Sequence, residues 1–169
     1  MKLWLIRHAE AAPGAGRGDS QRPLDLEGER EAARMTDWLA RQRHAAEWVW
    51  SSEAMRARAT ADFVARGFAA AAPEVVTDPR LYLANPEQLL AVLRETPADT
   101  ATAALVGHNP GISQLLHLLA HEPAGPTLPT FGVACLEVGD SWAGLAPGAA
   151  ACELLASPDD VGPPAPAAP

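Results

Sequence analysis

The sequence predicts an α/β fold: a three-layer sandwich with a mostly parallel central sheet, helices on both faces and antiparallel edge strands at the C-terminal end. Over the first 120 residues, short apolar segments of strand length alternate with amphipathic segments of helical length. After Thr130 the pattern changes to consecutive strand-like segments. Alternating strands and helices followed by a terminal hairpin are typical of such a sandwich.

Strands are predicted from short runs of large apolar residues, and helices from apolar residues spaced three and four apart. The predicted strands cover residues 3–6, 48–50, 74–77, 102–106, 133–138, 141–145 and 151–155. The predicted helices cover residues 26–43, 53–66, 86–93 and 111–120. We expect Ser52 and Asn85 to cap two helices and Gly67 to end one of them. We expect the strands at 133–138 and 141–145 to form a hairpin through Gly139 and Asp140.

Length and charge restrict the class of protein. The 169 residues suit one domain, which we place at residues 1–156, and the Pro/Ala-rich stretch 157–169 is expected to be a disordered tail. The formal net charge is −8, which disfavours nucleic acid and anionic membranes as partners. The first apolar run is too short for a signal peptide, and no run is long enough to span a membrane. With only two cysteines, we expect a cytoplasmic protein.

Two histidines directly follow predicted strands. Arg7 and His8 come after residues 3–6, and His108 comes after residues 102–106 and Gly107. In open α/β sheets, ligands bind at the carboxyl ends of the strands, so we expect these side chains to face one site. Two imidazoles beside an arginine suit an anionic substrate and a nucleophile. The pattern indicates an enzyme.

A third segment of this kind adds a second arginine. Arg56 follows Ser52 by four residues and lies in the first turn of a predicted helix, where backbone N–H groups attract anions. If the three strands are neighbours, Arg7 and Arg56 converge with the histidines. Guanidinium groups bind phosphate through paired hydrogen bonds and stay charged, so a phosphoryl group is the favoured ligand.

The motif order resembles that of the histidine phosphatase (phosphoglycerate mutase-like) superfamily, and most closely its small SixA-type branch of phosphohistidine phosphatases. The resemblance covers roughly residues 1 to 155. It is carried by Arg7-His8-Ala9-Glu10, Arg22-Pro23-Leu24, Ser52 with Arg56 and Thr60, and Val106-Gly107-His108-Asn109-Pro110. No single motif is specific, whereas four motifs in this order at the ends of the expected elements are.

The resemblance implies a role for each matching position. It implies that His8 is the nucleophile and becomes transiently phosphorylated. It implies that Arg7 and Arg56 hold phosphoryl oxygens and that His108 donates to the same oxygens. A histidine nucleophile must be neutral at the attacking nitrogen, so we expect a backbone carbonyl of the following loop to hold its other N–H. The implied substrate-binding residues are Arg22, Asn109 and Thr130.

The proton donor for the leaving group has no clear match. Larger relatives carry an acidic residue in an insertion after the third strand, whereas the corresponding segment of this chain, residues 78–84, is short. The candidate acids are Glu10, Asp19 and Glu53. A weak or missing acid favours a leaving group that departs easily, such as the imidazole of phosphohistidine. No metal and no cofactor are expected, since the sequence offers no carboxylate-rich cluster to hold magnesium.

We therefore expect a metal-independent phosphatase that acts through a phosphohistidine intermediate, with phosphohistidine in a protein as substrate. The expected partner is thus a phosphoprotein or a small phosphorylated compound, and we expect a monomer. Two alternatives stay open. One is a small-molecule phosphomonoesterase that uses the same site. The other is a non-catalytic phosphate-binding or scaffold protein on the same fold, against which the intact set of arginines and histidines argues.

Overall fold

A six-stranded sheet of mixed direction forms the middle layer. The structure is a computed structural model and describes residues 1–14, 16, 18–121, 125 and 127–162. The strand order across the sheet is β3-β2-β4-β1-β5-β6. The strands are β1 (Lys2–Arg7), β2 (Trp48–Ser52), β3 (Glu74–Asp78), β4 (Thr102–Gly107), β5 (Val133–Val138) and β6 (Ala150–Ala156).

The four strands from β3 to β1 run parallel, which brings their carboxyl ends to one edge of the sheet. Arg7 is in register with Gly107 across β1 and β4, and Ser51 is in register with Val106 across β2 and β4. The residues that follow β1, β2 and β4 in the chain therefore meet at the same edge. β5 is antiparallel to both β1 and β6, so the C-terminal strands are antiparallel to their neighbours.

Two helices cover each face of the sheet. The helices are α1 (Leu26–Leu39), α2 (Met55–Gly67), α3 (Pro86–Leu93) and α4 (Gly111–Ala120). Successive side chains of a strand point to opposite faces, and β1 supplies both cores in this way. Leu3 and Leu5 are buried with α3 and α4, whereas Trp4 and Ile6 are buried with α1 and α2. The predicted fold class, with its antiparallel C-terminal edge strands, is confirmed.

Helix boundaries differ from the sequence prediction at two places. The helix predicted to reach residue 43 ends at Leu39. The helix predicted over 53–66 begins at Met55 and is preceded by Ala54, which has no side-chain capping hydrogen bond. The Ser52 hydroxyl instead lies 2.8 Å from Nε2 of His108. By contrast, Asn85 forms the predicted cap of α3.

The prediction of a strand over residues 141–145 is wrong. The strand that pairs with β5 in the C-terminal hairpin is β6. Residues 141–145 form a turn, and residues 150–156 pair with β5. The apolar pattern of the turn has another cause: Trp142 and Leu145 are buried in the core beneath α3 and α4. The Trp142 indole donates to the carbonyl of Thr100 at 2.8 Å, which anchors the turn to the segment just before β4.

The first residues of the stretch predicted as a tail form an ordered turn. The Ser157 amide and hydroxyl donate to the Asp160 carboxylate at 2.8 Å and 2.6 Å, and Val161 packs against the core on the α1–α2 side. Residues 163–169 of that stretch lie outside the described residues. Among the described helices, none combines the length and apolar character needed to span a bilayer.

Replacing Trp142 tests the anchoring of the turn. Trp142→Ala removes a side chain that is 1 % exposed, so the free energy of unfolding should fall by about 3–5 kcal/mol. Trp142→Phe keeps most of the buried ring and loses only the indole hydrogen bond, so a smaller loss is expected. Urea unfolding of the two variants and the wild type measures both. Equal stability of Trp142→Ala and the wild type would contradict a buried position.

Candidate active site

His8 lies directly after β1, and its two ring nitrogens have different partners. Nδ1 lies 2.7 Å from the carbonyl oxygen of Ala9, which can only accept, so Nδ1 carries the proton. Nε2 therefore holds a lone pair, which accepts a hydrogen bond from Arg56 Nε at 3.2 Å. The carbonyl expected from the following loop is thus that of Ala9.

Burial and neighbouring arginines keep His8 neutral. Burial is the main cause that lowers the pKa of His8 to about 4, and the charges of Arg56 and Arg7 lower it further. The hydrogen bond to the Ala9 carbonyl acts in the opposite direction, since it favours the protonated ring. The imidazole is therefore uncharged at neutral pH, and Nε2 is available as a nucleophile.

The backbone around His8 is held by several hydrogen bonds. The His8 amide donates to the Gly107 carbonyl at 3.1 Å, which ties it to the end of β4. The Ala9 amide donates to the Thr60 hydroxyl at 3.1 Å, and that hydroxyl donates to the Arg56 carbonyl at 2.7 Å. The motif residue Thr60 therefore links the loop after β1 to helix α2 and so fixes the carbonyl that orients the His8 ring.

His108 follows β4 and faces His8. The two rings are 5.0 Å apart between centroids. His108 Nε2 is 2.8 Å from the Ser52 hydroxyl, and burial, followed by the proximity of His8, lowers the pKa of His108 to about 3. Its other nitrogen, Nδ1, is buried and has no hydrogen-bond partner in the described part of the chain. In the tautomer in which Nε2 accepts from the serine hydroxyl, Nδ1 carries the proton and can donate to a ligand.

The two arginines complete a set of donors at the sheet edge. Arg56 is 3 % exposed, and Arg7 donates through Nη1 to the Leu128 carbonyl at 3.1 Å. Arg7 Nε is buried without a partner among the described residues. Buried polar groups in proteins nearly always have a hydrogen-bond partner. The two unpartnered donors in this pocket, Arg7 Nε and His108 Nδ1, therefore suit an anionic ligand. The predicted convergence of Arg7, His8, Arg56 and His108 is found in the structure.

Asp19 adds a carboxylate to this set. Its Oδ2 accepts from Arg56 Nη2 at 2.9 Å and from the Tyr82 hydroxyl at 2.6 Å. Its backbone carbonyl accepts from Arg56 Nη1 at 2.7 Å, and its Oδ1 accepts from Arg22 Nη1 at 3.1 Å. The hydrogen bonds from Tyr82 and Arg56 hold the pKa of this carboxyl well below its usual range. Asp19 is therefore ionised, which does not suit a general acid in this state of the pocket.

Tyr82 is a site residue that the sequence analysis missed. It follows β3 and a short 3₁₀ turn at residues 79–81, and its ring meets the ring of His108 edge-on at 5.6 Å between centroids. The strand-end rule that identified the histidines brings the end of β3 to the same edge as β2, and the 3₁₀ turn then carries Tyr82 to the pocket. The chain's only tyrosine, five residues beyond the strand predicted over 74–77, was the available signal.

The three residues implied as substrate ligands are bound to protein groups. Arg22 Nε donates to the Ala12 carbonyl at 2.6 Å. Asn109 Nδ2 donates to the Leu128 carbonyl at 2.8 Å, and Thr130 Oγ1 donates to a Glu31 carboxylate oxygen at 2.6 Å. In this arrangement they brace the loops around the arginines and histidines.

Glu31 is a second residue that the sequence analysis missed. It lies on α1 and is 8 % exposed, which is uncommon for a carboxylate. Besides the Thr130 hydroxyl, it accepts from the backbone amide of Glu10 at 2.9 Å. The carboxylate thereby joins the loops that follow β1 and precede β5.

The remaining candidate acids lie at the margin of the cluster. Glu10 interacts electrostatically with Arg7, and Glu53 is exposed between β2 and α2. Among the described residues, no group of three or more histidine, cysteine, aspartate or glutamate side chains is arranged to hold a metal ion.

Sequence comparison identifies the family. Residues 3–82 match the model of the histidine phosphatase superfamily (branch 1). An uncharacterized protein of Mycobacterium tuberculosis (strain H37Rv) is 34% identical over 155 residues, which are 86% of this chain and 95% of that protein.

Two solved structures support the same placement. A protein of Agrobacterium tumefaciens assigned as the phosphohistidine phosphatase SixA has 30% identity and a TM-score of 0.72, and the match covers 81% of this chain and 91% of that one. The protein histidine phosphatase SixA in complex with tungstate has 25% identity and a TM-score of 0.77, over 94% and 98% of the two chains.

The chain belongs to the histidine phosphatase superfamily and to its SixA-type branch, as its motif order predicts. It is a phosphatase. The alternative of a non-catalytic phosphate-binding or scaffold protein is thereby set aside.

The buried neutral histidines predict a pH-dependent stability. The unfolded chain takes up protons on His8 and His108 as the pH falls through 6.5, whereas the folded protein does so only near 4 and 3. The free energy of unfolding should therefore fall as the pH is lowered from 6.5 towards 4, by up to about 1.4 kcal/mol per pH unit for each group. Urea unfolding between pH 7 and pH 5 measures the slope.

The double variant His8→Gln/His108→Gln should show a shallower slope over this range because both titrating groups are gone. His44→Gln is the matched control, since residue 44 precedes β2 at the opposite edge of the sheet. An unchanged slope in the double variant would show that the two histidines are not kept neutral by the fold.

Proposed function

We propose that this phosphatase removes the phosphoryl group from phosphohistidine in a protein, through a transient phosphohistidine on its own His8. The observation that carries the proposal is the pairing of His8 Nδ1 with the Ala9 carbonyl at 2.7 Å, which leaves the Nε2 lone pair beside Arg56. A neutral imidazole with an oriented lone pair is the form in which histidine attacks phosphorus.

The proposed reaction has two transfers. In the first, His8 Nε2 forms a bond to phosphorus while the bond from phosphorus to the substrate's imidazole nitrogen breaks, and the leaving imidazole takes a proton from solvent water. In the second, water attacks the phosphoryl group on His8, the Nε2–phosphorus bond breaks, and inorganic phosphate leaves. The ring then returns to the neutral form with its proton on Nδ1.

The surrounding donors suit the charge that develops during both transfers. Phosphoryl transfer spreads negative charge over three equatorial oxygens, so catalysis depends on positioned donors. Arg7 Nε and His108 Nδ1 are buried and unpartnered among the described residues, and an oxyanion would accept from both. Arg56 supplies a further guanidinium within hydrogen-bond distance of His8. Ser52 contacts His108 Nε2 through its hydroxyl, which can donate to that nitrogen, and so supports the tautomer in which Nδ1 donates to the oxyanion.

The state of the acidic residues supports a substrate with a good leaving group. Before substrate binds, Asp19 is held ionised by Tyr82 and Arg56, and Glu53 is exposed before α2. An alkoxide leaving group needs a proton from such an acid. An imidazole takes its proton readily near neutral pH, since the free group titrates near pH 6.5, so phosphohistidine makes the smaller demand on the site. The neighbouring structures assigned as SixA phosphohistidine phosphatases agree with this substrate class.

The proposal predicts phosphate release from a histidine-phosphorylated protein in the presence of a metal chelator. The wild type should release phosphate from that protein faster than from a sugar phosphate, and His8→Ala should abolish release because the nucleophile is lost. Inorganic phosphate released per enzyme per minute is the measurement. His44→Ala is the matched control, since it removes a histidine far from the carboxyl edge of the sheet.

The outcomes separate substrate from mechanism. Faster release from the sugar phosphate, still abolished in His8→Ala, would overturn the phosphohistidine substrate and favour a small-molecule phosphomonoesterase. Full activity of His8→Ala towards phosphohistidine would overturn the proposed nucleophile.

A further inference from the structure

We propose that the Asp19 carboxylate is a built-in occupant of the phosphoryl site: it binds the edge of Arg56 that a phosphoryl group needs, and substrate must displace it. The inference rests on the proposed function of this pocket, and it adds a residue that sets how tightly oxyanions bind. Asp19 occupies the pocket before substrate arrives, and the two phosphoryl transfers follow its displacement.

The donors of Arg56 are already occupied on the side that faces His8. Nε and Nη2 lie along one edge of a guanidinium and together form the fork that binds an oxyanion through two hydrogen bonds. Here Nε donates to His8 Nε2 at 3.2 Å, and Nη2 donates to Asp19 Oδ2 at 2.9 Å. A phosphoryl group transferred to His8 Nε2 lies against this same edge, so it competes with the Asp19 carboxylate for Arg56.

The carboxylate is bound as an anionic ligand would be. Besides Arg56, its two oxygens accept from the Tyr82 hydroxyl at 2.6 Å and from Arg22 at 3.1 Å. The ring of Tyr82 stands edge-on to His108, so the tyrosine connects the carboxylate to the second histidine of the pocket. Two guanidinium groups and a phenol hydroxyl therefore surround Asp19 beside the candidate nucleophile.

Displacement of Asp19 would not open the core. The residue begins the short 3₁₀ turn Asp19–Gln21, which contains no buried residue, and its side chain is 47% exposed. An ionised carboxylate and a phosphoryl group repel each other when they share one guanidinium edge. The turn can move without loss of buried apolar contacts. Exchange of the carboxylate for the phosphoryl group therefore costs less free energy than binding both anions at the same guanidinium edge.

Such an occupant lowers the apparent affinity for substrate. The measured dissociation constant equals the intrinsic constant divided by the fraction of molecules whose site is open. Removing the carboxylate charge raises that fraction. Loss of the Tyr82 hydroxyl weakens the hold on the carboxylate and acts in the same direction.

Calorimetric titration with tungstate tests the inference on the full chain. Asp19→Asn should bind tungstate about threefold or more tightly than the wild type, because the open fraction rises. Tyr82→Phe should shift the dissociation constant in the same direction by a smaller factor. Asp140→Asn is the matched control: it removes one negative charge from an exposed position beside Gly139, whose carbonyl accepts from the N-terminal amine at the other edge of the sheet. The control should bind as the wild type does.

Weaker or unchanged binding by Asp19→Asn would overturn the inference, since the carboxylate would then hold Arg56 in place for the oxyanion or play no part. Weaker binding by Tyr82→Phe would likewise contradict a role in holding the occupant. Because tungstate binding requires no turnover, these results are independent of whether phosphohistidine proves to be the substrate.

Discussion

The hydrogen bond between His8 Nδ1 and the Ala9 carbonyl determines what the whole pocket can do. It fixes the proton on one ring nitrogen and leaves the other as a lone pair beside Arg56. The carbonyl keeps its position because the Ala9 amide is bound by Thr60 on α2 and the His8 amide is bound by Gly107 at the end of β4. Hydrogen bonds from the parallel sheet and from α2 thus hold the backbone that selects one tautomer of His8.

Charge in the pocket is organised differently from charge on the whole chain. The protein carries a formal net charge of −8, yet three arginines, Arg7, Arg22 and Arg56, lie around the loop after β1. In the arrangement described here, Asp19 offsets part of this positive charge by pairing with two of them. Burial is the main cause that lowers the pKa of both histidines, and the charges of Arg56 and Arg7 act in the same direction, so the imidazoles stay neutral.

Sequence reasoning identified the groups that follow a strand directly. Arg7, His8 and His108 stand within two residues of the carboxyl ends of β1 and β4, and the geometry of a parallel sheet brings such positions together. Tyr82 was missed because a 3₁₀ turn separates it from β3, so its position depends on the path of a loop rather than on the sheet. The segment at 141–145 was mistaken for a strand because buried apolar residues in an anchored turn produce the same short pattern.

The position of the transferred phosphoryl group tests the central claim most directly. Wild-type enzyme is mixed briefly with a histidine-phosphorylated protein, denatured in alkali, and digested, and the phosphorylated peptide is analysed by mass spectrometry and phosphorus NMR. The hydrogen bond to Ala9 predicts a phosphoryl group on Nε2 of His8. A phosphoryl group on Nδ1 of His8, or on another residue, would contradict it.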